Sequence, residues 1–165
     1  MKTAIYPGSF DPVTLGHLNV IKRAGQAFDK VIVCVMVNSE KNGGLFTPDE
    51  RVDMLRRTTA RFPNVEVDAS DELLANYAHR KGATVLVKGL RAVSDFESEV
   101  QMAIINNKLN PHLETVFLPS SPKYTYLSST IVKEMARYGC NLADFIPREI
   151  IDEVNQRMKE LQGKE

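Results

Sequence analysis

Short runs of β-branched and other apolar residues alternate along this chain with longer stretches in which apolar positions recur every three or four residues. The short runs fall at 3–6, 31–36, 65–67, 84–87 and 115–118. Several are apolar at nearly every position, the pattern of strands covered on both faces. Helical periodicity fills the gaps, so the pattern predicts an α/β domain with a mainly parallel five-stranded sheet. Thr47-Pro48-Asp49-Glu50 supplies a capping threonine, a first-turn proline and a capping-box glutamate, which start the second helix. Ser94 and Glu97 repeat the capping spacing before a long helix. Its Phe96, Val100, Ala103, Ile104 and Leu109 fall mostly on one side and are expected in the core. Residues 119–126 read as a loop, followed by helices over 129–138, which Gly139 ends, and over about 147–161. Neither a repeat nor a linker interrupts this order, which predicts one domain over 1–165.

Composition narrows the function. At 165 residues, 43% apolar and 25% charged, the chain can bury one core without a disulfide or a structural metal. Its 21 acidic and 21 basic residues cancel, which removes the basic excess that nucleic acid or an anionic membrane would require. Cys34 and Cys140 stand alone, without metal-type spacing, as expected of free cytoplasmic thiols. Pro7 and Gly8 interrupt the first apolar run, and no later one is long enough to span a bilayer, so neither export nor membrane insertion is expected.

Candidate chemistry gathers where strands give way to helices. The segment Tyr6-Pro7-Gly8-Ser9-Phe10-Asp11-Pro12-Val13-Thr14-Leu15-Gly16-His17 leaves the first strand and opens the first helix. In an open parallel sheet, ligands bind beyond the strand ends, where a helix N-terminus offers N–H groups to phosphate. Gly8 and Gly16 allow close backbone approach, Ser9 adds a hydroxyl, and His17 sits on the first helical turn. Taken alone, the glycines are turn residues and His17 a capping or surface side chain. Val87-Lys88-Gly89-Leu90-Arg91 brings two cations to the same edge after the fourth strand, although a solvated basic turn would look alike. Lys41, in the loop after the second strand, can reach that edge on a flexible arm. Tyr124-Thr125-Tyr126-Leu127-Ser128-Ser129-Thr130 precedes a helix, and capping accounts for one of its three consecutive hydroxyl residues. The excess points to an anion cradle.

These elements, in this order and over essentially the whole chain, resemble the phosphopantetheine adenylyltransferase family of the nucleotidyltransferase superfamily. The Gly-His pair is also akin to the HIGH element of class I aminoacyl-tRNA synthetases. Further shared features are Phe46-Thr47, Glu50-Arg51, Asp95-Phe96-Glu97 and Glu99. The resemblance implies a doubly wound, Rossmann-like sheet with C-terminal helices. It also implies that Ser9, Lys41, Leu74 and Lys88 contact 4'-phosphopantetheine. ATP would then meet Ser9, Phe10, His17, Gly89, Leu90, Arg91, Glu99, Tyr124, Thr125, Tyr126, Leu127, Ser128, Ser129 and Thr130. Mg²⁺ is the expected companion of the triphosphate, and a homohexamer the expected assembly. Lys88 replaces a common arginine, keeping the charge without the bidentate geometry, and Ser98 stands where tyrosine is frequent. Leu74 keeps the apolar character of a methionine found in some members.

The implied reaction is in-line attack of a phosphate oxygen on the α-phosphorus of ATP. The nucleophile arrives ionised, so positioning and electrostatics suffice. His17, Lys41 and Arg91 are the expected catalytic residues. Cytidylyl transfer to glycerol phosphate, adenylyl transfer to nicotinamide mononucleotide, and a non-catalytic nucleotide sensor stand as alternatives.

Overall fold

The computed structural model describes residues 1–38 and 43–164. Five strands, β1 (Thr3–Gly8), β2 (Lys30–Met36), β3 (Val65–Ser70), β4 (Val85–Leu90) and β5 (Glu114–Pro119), form one sheet in the order β3-β2-β1-β4-β5. Every pairing is parallel. Each expected strand is present, and most run two or three residues further toward their carboxyl ends than the apolar runs alone indicate. Ser70, Lys88, Gly89 and Pro119 continue strands past their apolar segments because parallel pairing, not side-chain polarity, holds those backbones.

Among the described residues four α-helices connect the strands, α1 (Leu15–Ala27), α2 (Pro48–Thr59), α3 (Leu74–Arg80) and α4 (Val93–Leu109), and two follow β5, α5 (Ser129–Arg137) and α6 (Ile151–Gln162). Period-two alternation divides the core. Ala4, Tyr6, Val31, Val33, Val35 and Val87 face a large cluster that includes Leu18, Ile21, Leu55, Val132 and Val154 from α1, α2, α5 and α6. Ile5, Ile32, Cys34 and Leu86 face a smaller one with Ala75, Tyr77 and Ala78 from α3. Burial of this kind drives folding at about 25 cal/mol per Å² of apolar surface.

The capping box at Thr47 and Glu50 is present, with Thr47 Oγ1 accepting from the Glu50 N–H at 3.2 Å and Glu50 Oε2 accepting from the Thr47 N–H at 2.8 Å. Gly139 ends α5 with φ +71°, a conformation suited to glycine. Two expectations need correcting. α4 begins at Val93 with Ala92 as its N-cap, one residue before Ser94, and no side chain caps it. Nor does its apolar face enter the core: Phe96 is 50% exposed, Ile104 65% and Leu109 53%, with Met102 and Ile105 also open. α4 lies against β4, β5 and α3, and these contacts leave much of its apolar surface open. Helical periodicity reports a face to be buried without saying against what.

The core assignment predicts that Leu55→Ala, at a fully buried site in α2, costs about 2–5 kcal/mol. Denaturant unfolding with an unchanged m-value would display that loss; a midpoint equal to wild type would remove Leu55 from the core.

Candidate functional site

The strand order reverses between β1 and β4, with α1 packed into the larger cluster and α4 set beside α3, whose residues fill the smaller one, so the sheet has its switch point there. A cleft of about 400 Å³ opens there, lined by Gly8, Ser9, Phe10, Gly16 and His17 from the first motif. Lys88, Gly89, Arg91 and Glu99 line its opposite wall, and Leu127, Ser128 and Ser129 close it. Three separate sequence segments therefore converge as expected. Thr130 lines an adjoining cleft of about 930 Å³ that shares Ser9 and Ser129 with the first. Leu74, Leu90, Tyr124, Thr125 and Tyr126 line neither cleft. Leu74 packs against the smaller core cluster, at the start of α3. Lys41 lies outside the described residues.

His17 meets the capping reading through one ring nitrogen, and the other has no protein partner among the described residues. His17 is the third residue of α1, and its Nδ1 accepts the Thr14 backbone N–H at 3.0 Å while Thr14 Oγ1 accepts the His17 N–H at 3.2 Å. This is a capping box with histidine in the place of glutamate. An Nδ1 that accepts a backbone proton leaves the neutral ring's own proton on Nε2, as a donor. Burial, aided by the nearby Arg91 charge, pushes the imidazole pKa down to about 4. Phe10 braces the ring edge-on at 5.0 Å. Phe10 itself has φ +48°, which turns its side chain back beneath Gly8, where a Cβ would stand 3.0 Å from the ring. That close approach requires glycine at position 8.

The cations are held in place. Arg91 Nη1 donates to the Leu127 carbonyl at 2.9 Å and its Nε to Asp95 at 3.3 Å, so one guanidinium joins the end of β4 to the segment before α5. Lys88 Nζ stands 3.4 Å from Glu99, both half-buried. The three hydroxyl residues before and within α5 divide their work. Ser128 caps the helix by accepting the Ile131 N–H at 3.1 Å, and Ser129 donates to the Pro12 carbonyl at 2.8 Å. Capping thus explains Ser128, and loop tethering explains Ser129 Oγ. Among the described residues, the Ser129 and Thr130 N–H groups keep no protein acceptor, as at any helix start, and could serve an anion.

Sequence reasoning missed three supports. Thr14 bore a signal, a capping residue three positions before His17, obscured because the capping-box pattern ordinarily ends in Glu or Gln. The Phe145 carbonyl, which accepts the Leu15 N–H at 2.9 Å, left none. Asp11 lay inside the first motif without an assigned role. It is a buried carboxylate that accepts the Leu45 and Phe46 N–H groups at 2.8 and 2.9 Å and faces Arg51 and Lys133 at 3.6 and 3.4 Å.

The cytidylyltransferase-like family model matches residues 5–135. A phosphopantetheine adenylyltransferase of Clostridium botulinum is 52% identical over 158 residues, covering 96% of each chain. One from Caldanaerobacter subterraneus is 52% identical over 159 residues, 96% of this chain and 99% of the relative. Among solved structures, a putative nicotinate-nucleotide adenylyltransferase from Vibrio parahaemolyticus superposes with a TM-score of 0.68 over 96% of this chain and 95% of that one, at 18% identity, a likeness of fold.

The lowered pKa yields a sign that can be tested. The unfolded chain takes up a proton near pH 6.5 and the folded chain only near pH 4, so His17 draws stability down as pH falls across that window. By NMR, the His17 ring should titrate near pH 4; a midpoint at 6.5 would place it in water.

Proposed function

This chain belongs to the phosphopantetheine adenylyltransferase family of cytidylyltransferase-like proteins, and from that membership we propose that it transfers the adenylyl group of ATP to 4'-phosphopantetheine, giving dephospho-coenzyme A and pyrophosphate. The single observation that carries the mechanism is the locked, neutral imidazole of His17 at the switch-point cleft. A phosphate oxygen of the acceptor attacks the α-phosphorus of ATP as the bond to the bridging oxygen of the β-phosphate breaks. That oxygen leaves on pyrophosphate with the electron pair. No proton need be removed from the ionised nucleophile, so the work of the site is to align two phosphates and to receive charge.

His17 Nε2–H donates to a non-bridging oxygen of the α-phosphate, where charge accumulates as the phosphorus becomes crowded. A neutral donor suits this task, because the ring need neither gain nor lose a proton during the reaction. Arg91 neutralises the triphosphate from its tether on Leu127, and the Ser129 and Thr130 N–H groups take the terminal phosphates. Ser9, which lines both clefts, aligns donor and acceptor. Lys88 receives the acceptor phosphate by exchanging its Glu99 partner for it, and Lys41 and Leu74 complete the acceptor's contacts.

Mg²⁺ belongs to this reading as part of the ATP substrate. Among the described residues no three His, Cys, Asp or Glu side chains cluster as a metal cage, and the one carboxylate lining the switch-point cleft is paired with Lys88. The ion therefore rides on the phosphates and offsets their charge. No helix among the described residues is long and apolar enough to cross a membrane, which fits a cytoplasmic enzyme. The exposed row of Phe96, Met102, Ile104, Ile105 and Leu109 supports a homohexamer in which α4 is covered by other copies of the chain.

Incubation of the protein with Mg²⁺, ATP or CTP, and phosphopantetheine, glycerol phosphate or nicotinamide mononucleotide in turn, read by mass spectrometry, should yield dephospho-coenzyme A from ATP alone. A product from another acceptor would overturn the named substrate, and ATP binding without any product would favour a sensor. His17→Ala should lower kcat by roughly 10²–10³ with little change in ATP binding; an equal loss in both would remove its transition-state role. Lys41→Ala should weaken both acceptor use and turnover, and unchanged kinetics would exclude it from the site. Light scattering should find a hexamer that Ile104→Glu breaks apart, whereas a wild-type monomer would refute the assembly.

A further inference from the structure

α6 lies beyond residue 135, where the match to the family model ends, yet one of its side chains reaches the site's second cleft. Arg157 Nη1 donates to the Leu45 carbonyl at 2.9 Å, and its guanidinium carbon stands 5.0 Å from the centre of the Phe46 ring. Glu50 holds the guanidinium in that pose through bonds of 2.6 and 3.1 Å. The same dipeptide is gripped from two other directions. Asp11 accepts both of its N–H groups, and Arg51 Nε donates to the Phe46 carbonyl at 2.8 Å. All four backbone polar groups of Leu45 and Phe46 thus end on charged side chains drawn from the loop after β1, from α2 and from α6.

This density of charge exceeds what a two-residue turn requires. Backbone groups at a loop are ordinarily satisfied by water, whereas here a buried carboxylate and two guanidiniums are committed to one dipeptide. The grip extends into the catalytic loop, since Arg51 Nη1 also donates to the Ser9 carbonyl at 3.3 Å. Gly44 shows how tight it is: a Cβ there would lie 2.7 Å from Arg51 Nη2 and 3.1 Å from Asp11 Oδ2. Leu45 is four residues beyond Lys41 in the chain.

We propose that Arg157, acting with Asp11 and Arg51 on Leu45 and Phe46, is a positioning residue that fixes this dipeptide, on the wall of the second cleft, relative to Ser9. The C-terminal helix α6 thereby takes part in acceptor handling without touching the substrate. The kinetic part of this inference rests on the adenylyl-transfer reading; its structural part does not.

Two measurements test it. Hydrogen exchange on Arg157→Ala and on the milder Arg157→Lys should raise the exchange rates of the Leu45 and Phe46 amides by roughly tenfold or more, while Ile5 and Val33 in the sheet keep theirs. Equal acceleration everywhere would mean general destabilisation, and no acceleration would mean no grip; either result overturns the proposal even if the protein proves inactive. The second is a double-mutant cycle. Arg157→Ala should lower kcat/KM for phosphopantetheine by roughly tenfold in the wild-type background and less than twofold in Ser9→Ala. The same tenfold loss in both backgrounds, or a Ser9→Ala variant that is itself kinetically silent, would refute action through Ser9. Absence of turnover in the wild-type protein would instead count against the adenylyl-transfer reading.

Discussion

Parallel pairing of all five strands is the constraint from which the rest of the structure follows. A parallel neighbour can be reached only by a crossover, so each strand must hand the chain to a connection that returns over one face. Every strand end then lies at the same edge of the sheet, and every helix that follows presents its N–H groups there. With β1 beside β4, right-handed crossovers send α1 to one face and α4, beside α3, to the other, and the edge splits between them. The cleft is the gap that this topology cannot close.

Within that gap the described charged side chains are arranged in pairs before substrate arrives. Lys88 faces Glu99, Arg91 is tied to Asp95 and the Leu127 carbonyl, and Asp11 is surrounded by two amides and two cations. A buried carboxylate without such company would carry a desolvation penalty of several kcal/mol. The arrangement has a consequence for binding. A phosphate entering the cleft competes with partners already in place, so it must offer more charge than a single carboxylate does. A phosphate dianion or a triphosphate meets that demand, and a neutral or singly charged ligand does not.

How far the sequence disclosed this depends on the range of the interaction. The strand exits were legible because their chemistry is local. Glycine, hydroxyl and cationic residues stand next to the strands that deliver them, so Ser9, His17, Lys88, Arg91 and Ser129 could be placed at one edge from linear order alone. Interactions spanning a hundred residues were not. Nothing in the neighbourhood of Arg157 indicates that it meets Leu45, 112 positions away, and Asp11 could not be assigned without knowing where Leu45 and Phe46 fold back. α4 exposes a different limit. Its apolar spacing is genuine, but periodicity is silent about what covers the face, and the described residues leave Phe96 50% and Ile104 65% exposed.

Histidine at position 17 unites these strands of reasoning. A glutamate in the same capping position would satisfy the Thr14 N–H equally well, but it would place a second acceptor, and a negative charge, at the mouth of a phosphate site. Lysine would supply charge without an acceptor for the cap. Glutamine would also pair an acceptor with a neutral donor, but on a freely turning amide; imidazole holds the two on opposite edges of one rigid ring, and burial keeps that ring neutral well below neutral pH. The helix cap and the ring N–H at the cleft therefore belong to a single residue, and the ring's orientation is fixed by the same hydrogen bond that begins the helix. A glutamate that preserved the cap of α1 would remove that N–H.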